Sequence, residues 1–218
     1  MSIKIYDSLN FSKDITIRNE LPSHKKIIDY IGVDTLLSEL ENYTSNTTTH
    51  WFESYINVVK ETTKQNIINE SMKQLNDIGL HVGGKGQNYI QRQLTQPQSK
   101  FPWTTWQKGV GPHTRKVFEN LIPGFNRPRY VEAKPGWKLD THTDWNYSSR
   151  HGLRCHLMLE VNPDCKHFIT DIHDIEHEIH MKPGEVWFLN VERPHHAYNL
   201  GSTVRKSLSF ELINDDLL

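Results

Sequence analysis

Leu139-Asp140-Thr141-His142-Thr143-Asp144-Trp145-Asn146 sets an imidazole and a carboxylate one residue apart, just after the turn-forming Lys134-Pro135-Gly136-Trp137. In extended backbone, positions i and i+2 point the same way, so one ion can meet both His142 and Asp144. On their own the two residues fit a solvated polar loop equally well. A metal site demands a third ligand, and Glu192-Arg193-Pro194-His195-His196 offers one far downstream. A His-x-Asp pair joined by His195 or His196 makes a two-histidine, one-carboxylate facial triad. That arrangement leaves positions open on Fe(II) for oxygen chemistry.

Further residues extend the pattern. Arg205 lies ten residues after His195, at the start of the strand-like Lys206-Ser207-Leu208-Ser209-Phe210. A guanidinium there could grip the far carboxylate of a dicarboxylic acid bidentately. Arg154 and His156 alternate on Leu153-Arg154-Cys155-His156-Leu157, so both leave one face of a strand. Such groups are costly to bury without an anionic partner. Trp145, Tyr147 and Arg150 follow the His-x-Asp pair and would border a site mouth, where they could shape a substrate pocket. His173, His177 and His180 sit where a hairpin should turn, and the first two read as solvent-facing.

These residues need a scaffold. From about Arg127 onward, short segments rich in β-branched and aromatic residues alternate with turn signals such as Lys-Pro-Gly. At least six strands without intervening helices predict antiparallel sheets in a sandwich or jelly roll. Residues 1–125 read as mainly helical. Helices are expected over 34–43, over 62–79 and over 112–124, from apolar residues at helical spacing and Gly or Pro at the ends. Trp103 and Trp106 read as core or contact residues. The expectation is one catalytic domain over 1–218, its jelly-roll core at 126–218 carrying the site and the helices packed against it.

Composition narrows the function classes. At 218 residues the chain can bury one substantial core. A formal net charge of -1 gives no reason to expect nucleic acid or an anionic membrane as partner. No apolar run approaches the roughly 20 residues that span a bilayer, and no signal-peptide h-region opens the sequence. Two cysteines are too few for a disulfide scaffold. A cytoplasmic location is the expectation.

The stretch from about 127 to 211 resembles the iron(II)/2-oxoglutarate-dependent oxygenases, in particular the aspartyl/asparaginyl β-hydroxylase-like group. Pro135-Gly136 precedes His142 as that family's turn precedes its first ligand. Arg154-Cys155-His156-Leu157 is similar to its Arg-x-His-Leu strand, and Lys182-Pro183-Gly184-Glu185 to the hairpin before its last ligand. His195, four residues before Asn199 and ten before Arg205, has the spacing of the distal histidine, which favours it over His196.

The resemblance implies a double-stranded β-helix (cupin-like jelly roll), with Fe(II), 2-oxoglutarate and O2 as cofactors. His142, Asp144 and His195 would hold the metal. Arg205 would pair with the far carboxylate of 2-oxoglutarate, assisted by Arg154 and His156. One departure matters. The peptide-hydroxylating members have glycine where this chain has Asp144, whereas relatives acting on free amino acids carry the full triad. Asp144 therefore argues against halogenation, which needs that position vacant, and puts a peptide Asp/Asn substrate in question. The expected reaction is hydroxylation of an unactivated C–H of an amino acid, an amino-acid-like metabolite or a peptide side chain, releasing succinate and CO2. A cupin-like zinc hydrolase or isomerase could use the same ligands. A non-catalytic metal-binding module is a further alternative, but it leaves Arg154, His156 and Arg205 without a shared purpose.

Overall fold

The computed structural model describes residues 22–45, 75–79, 81–82, 105–106, 109–121, 125–143 and 152–213. In chain order these form β1 (His24–Asp29), α1 (Val33–Ser45), β2 (Leu75–Gly79), β3 (His81–Val82), β4 (Thr105–Trp106) and α2 (Pro112–Leu121). There follow β5 (Phe125–Ala133), β6 (Lys138–His142), β7 (Gly152–Glu160), β8 (Cys165–Thr170), β9 (Glu176–Ile179), β10 (Glu185–Leu189), β11 (His195–Asn199) and β12 (Arg205–Ile213). No helix among the described residues is long and apolar enough to cross a membrane.

Two antiparallel sheets face each other. The larger has the order β1-β10-β7-β12-β5-β2 and the smaller β6-β11-β8-β9, while β3 and β4 pair separately. From β5 to β12 the chain passes repeatedly between the two sheets, which is the double-stranded β-helix expected from the strand spacing. Two Lys-Pro-Gly turns set entry points into this pattern. In Lys134-Pro135-Gly136-Trp137, Trp137 N–H donates to Lys134 O at 3.0 Å, and Gly136 has φ 84°. Lys182-Pro183-Gly184-Glu185 repeats the geometry, with a 3.1 Å bond and φ 85° at Gly184. Proline at the second position and a left-handed glycine at the third make both of them type II turns.

The outer face of the larger sheet is covered by the two helices. Leu36, Leu40 and Tyr43, spaced one helical turn apart on α1, are buried with Val117 and Phe118 of α2 against Tyr130, Leu157, Leu208 and Phe210 of the sheet. Phe118 meets Phe210 edge-on, with ring centroids 5.4 Å apart. The start of α2 has Pro112 in its first turn and is capped from α1. Glu39 accepts hydrogen bonds from the His113 and Thr114 amides at 3.0 and 2.6 Å, and from the Thr114 hydroxyl at 2.7 Å. Burial pushes the Glu39 carboxyl up, but these bonds outweigh it and hold the group below its ordinary range.

Helices therefore stand where 34–43 and 112–124 predict them. The helix expected over 62–79 does not fit at its end. Leu75–Gly79 is a strand paired antiparallel with β5, and 62–74 lie outside the described residues. The edge of β5 offers an unpaired ladder of backbone donors and acceptors, and pairing to it overrides a local helical period. β1, which the sequence pattern did not announce, completes the other edge by pairing with β10. The N-terminal part thus contributes strands as well as helices to the fold.

Candidate active site

Between the sheets, register brings distant residues together. β11 pairs with β6 so that His195 lies directly opposite His142, and their ring centroids are 4.3 Å apart. Each ring is oriented by the backbone two residues before it. His142 Nδ1 lies 2.8 Å from Asp140 O, and His195 Nδ1 lies 2.9 Å from Arg193 O. A carbonyl oxygen only accepts, so Nδ1 carries a proton in both rings, and in a neutral imidazole the lone pair is then on Nε2. Backbone-oriented imidazoles with Nε2 as the basic nitrogen are what a metal site requires.

His196, next in sequence, leaves the other face of β11. Its ring stacks on Phe168 at 4.4 Å, and its Nδ1 lies 3.7 Å from the Glu176 carboxylate. Asp144, Trp145, Tyr147 and Arg150 lie outside the described residues. Among the described residues no three His, Cys, Asp or Glu side chains gather as a metal-binding group.

Deeper between the sheets sits Arg205, only 2% exposed. It donates to His167 Nε2 from β8, interacts with the Cys165 thiol, and lies 5.2 Å above the centroid of the Trp137 ring. Its Nε has no hydrogen-bond partner, and no carboxylate among the described residues forms an ion pair with it. A buried cation without an anion is expensive, and it marks a place where an anion is expected to bind. Around it lie further buried polar atoms without partners: Trp137 Nε1, His156 Nδ1 and Ser207 Oγ. Burial, and then the Arg205 charge, push both His156 and His167 well below the ordinary histidine range, so both rings are neutral. Their centroids are 5.9 Å apart, one on each sheet.

Arg154 and His156 share a face of β7 as their alternation predicts, but their surroundings differ. Arg154 Nη2 lies 3.2 Å from Glu211 Oε1, opposite it on β12, with the two side chains 14% and 3% exposed. The positive charge of Arg154 is thus met by Glu211, while no carboxylate among the described residues meets that of Arg205. The sequence reading singled out neither His167, Glu211, Trp137 nor Ser207. The two-residue alternation in β8 and β12 puts Cys165, His167 and Ile169 on one face, and Arg205, Ser207, Ser209 and Glu211 on another. Which of those faces is the inner one depends on how the sheets pack.

Other features are structural. Asn199 is buried, donates to Ala133 O and Thr203 O at 2.8 Å each, and accepts from Asn162 Nδ2 at 2.9 Å. It ties the β11–β12 connection to β5 and to the β7–β8 turn. His173 is exposed, and His180 is 74% exposed. His177 is half-buried rather than free in solvent, bonded to Asp171 at 2.7 Å with its ring 5.3 Å from that of His24. The His177 bond, with backbone amides helping, holds the Asp171 carboxyl down to about 2. Both cysteines are free thiols.

A prolyl hydroxylase from Trichoplax adhaerens, solved with a hypoxia-inducible-factor oxygen degradation domain peptide fragment, is similar to this chain with a TM-score of 0.50 at 10% identity. The alignment covers 97% of this chain and 90% of that one. A Pseudomonas putida prolyl-4-hydroxylase aligns with a TM-score of 0.47 at 12% identity, over 99% of this chain and 94% of that one. No curated protein matches by sequence search. The family model described as Aspartyl/Asparaginyl beta-hydroxylase matches residues 37–215. That span takes in most of the helical layer and every strand from β2 to β12, and so the chain belongs to the aspartyl/asparaginyl β-hydroxylase family, whose members are Fe(II)/2-oxoglutarate-dependent oxygenases.

Proposed function

We propose that the chain hydroxylates an unactivated C–H of an amino acid, an amino-acid-like metabolite or a peptide side chain, with His142, Asp144 and His195 holding Fe(II) and Arg205 anchoring 2-oxoglutarate. The observation that carries this is the buried Arg205 guanidinium, which has no carboxylate partner among the described residues and lies in the same inter-sheet space as the paired histidines. Fe(II) and 2-oxoglutarate, when bound, supply oxygen activation, with the cosubstrate leaving as succinate and CO2.

The residues present fit those groups. His142 and His195 offer two imidazoles already oriented by backbone carbonyls, with Nε2 as the nitrogen available to a metal. Asp144, two residues beyond His142, supplies the carboxylate of the triad. Arg205 meets the far carboxylate, and neutral His156 supplies a further hydrogen-bonding group beside it. Arg154 is paired with Glu211, so its part is to hold that side of the site in shape while Arg205 carries the anion. Trp145, Tyr147 and Arg150, which follow the His-x-Asp pair in sequence, are the residues assigned to substrate contact. A zinc hydrolase on the same ligands would have no use for a buried cation at Arg205.

Anaerobic addition of Fe(II) and then 2-oxoglutarate to the purified protein tests this. A weak visible charge-transfer band is expected for the wild type and absent in His195→Ala. Metal binding without a band under saturating 2-oxoglutarate would remove the oxygenase assignment and favour the hydrolase.

A further inference from the structure

The buried donors around Arg205 outnumber what the arginine alone explains. We infer that Trp137 is a direct donor to the distal carboxylate of the cosubstrate, its indole N–H completing the cradle around Arg205, and that His167 is the positioning residue which aims the guanidinium. This deepens the reading of Arg205 as the 2-oxoglutarate anchor and rests on it.

Trp137 is 3% exposed, and its Nε1 is buried without a partner. An indole nitrogen can only donate, and buried indoles usually find an acceptor. Here the backbone of the residue is held on both sides. Its backbone closes the type II turn to Lys134, and its carbonyl accepts from the Asn199 amide at 2.8 Å. The side chain packs among Ala133, Ala197 and Leu139, beneath the Arg205 guanidinium at 5.2 Å. Small alanines on β5 and β11 leave room for the indole between the sheets. Placing an unsatisfied N–H beside an arginine with no carboxylate partner among the described residues makes sense if one ligand serves both. A carboxylate has about four lone-pair positions, and a guanidinium fork fills at most two of them.

His167 decides which part of the fork is available. A guanidinium only donates, so His167 Nε2 must accept from Arg205 Nη1. That bond occupies one terminal nitrogen and leaves the Nε, which has no partner, to meet a ligand. The neighbouring neutral His156 adds no competing anion.

The test uses full-length protein loaded with Mn(II), so that binding is measured without turnover. Titration calorimetry compares 2-oxoglutarate with 2-oxovalerate, which lacks the distal carboxylate. Trp137→Phe keeps the ring under Arg205 and removes only the N–H. It is expected to bind 2-oxoglutarate about ten- to a hundredfold more weakly while leaving 2-oxovalerate unchanged. His167→Leu should lose severalfold on 2-oxoglutarate, and His167→Gln, which still offers an acceptor, should recover most of it. Unchanged 2-oxoglutarate affinity in Trp137→Phe, with affinity lost in Arg205→Gln, overturns the role of Trp137 and leaves the anchor standing. Unchanged affinity in Arg205→Gln overturns the anchor itself. If Trp137→Phe does not fold, the wild type decides. One of its six indole N–H resonances must shift on adding 2-oxoglutarate and not on adding 2-oxovalerate, and no such shift refutes the proposal.

Discussion

From Arg205 to Glu211, alternate residues of β12 live in two different environments although all but Lys206 are buried. Leu208 and Phe210 face α1 and α2 and are packed among Leu36, Phe118 and Leu157. Arg205, Ser207, Ser209 and Glu211 face the smaller sheet and are just as inaccessible, none more than 2% exposed. The helix side is built for cohesion. The inner side carries a cation with no carboxylate partner among the described residues, orphaned donors and an internal ion pair, none of which an optimised core would keep. Equal burial therefore does not mean equal purpose, and the side that is poor for stability is the one that can bind an anion.

Substitutions on the two faces should behave in opposite ways. Phe210→Ala is expected to cost about 3–5 kcal/mol in urea denaturation and to leave 2-oxoglutarate affinity of the folded protein intact. Arg205→Leu should abolish that affinity and keep or raise stability, by up to about 4 kcal/mol, because an uncompensated buried charge is replaced by apolar volume. Should Arg205→Leu destabilise the fold as Phe210→Ala does, the contrast between the faces fails.

The pH response sharpens the same contrast. His156 and His167 are held below their ordinary value near 6.5, chiefly by burial. The folded state keeps them neutral, so below pH 6.5 the unfolded chain binds protons that the folded chain does not. Stability should be level above that pH and fall below it, by about 1.4 kcal/mol per pH unit for each histidine until the folded protein also titrates. Denaturation midpoints at pH 7.5, 6 and 5 measure this, and His156→Asn with His167→Asn should flatten the slope. The smallest effect is expected at Lys206, a partly buried residue of β12 that reaches the more exposed Glu41 and Glu160 at 2.6 and 2.8 Å. Lys206→Ala should cost no more than about 1 kcal/mol, and a larger loss would mean that the edge of the helix face depends on charge.

Much of the fold is visible in local spacing. The strands from β5 onward announce themselves by alternation and by Lys-Pro-Gly turns, and α1 and α2 by one-turn apolar periods with fitting ends. β1 and β2 do not, because a strand at a sheet edge is made by the partner that receives it. Leu75–Gly79 carries the end of a helical period and still pairs with β5. The same limit applies to the site. Residue types and spacing offer His142 with either His195 or His196, and the family resemblance favours His195 and marks Arg205, while two-residue alternation puts Arg154 beside His156.

What sequence determines by itself is therefore the set of groups each strand can present and which of them share a face. Only the tertiary structure decides which face turns inward and what stands opposite. It sets His195 across from His142, gives Arg154 a carboxylate 57 residues away in Glu211, and leaves Arg205 with a histidine, a thiol and an indole but no carboxylate among the described residues. Those outcomes depend on register between strands distant in the chain and on the packing of two sheets. Neither is encoded in the spacing of neighbours, because the energy that selects them comes from burying both sheets at once.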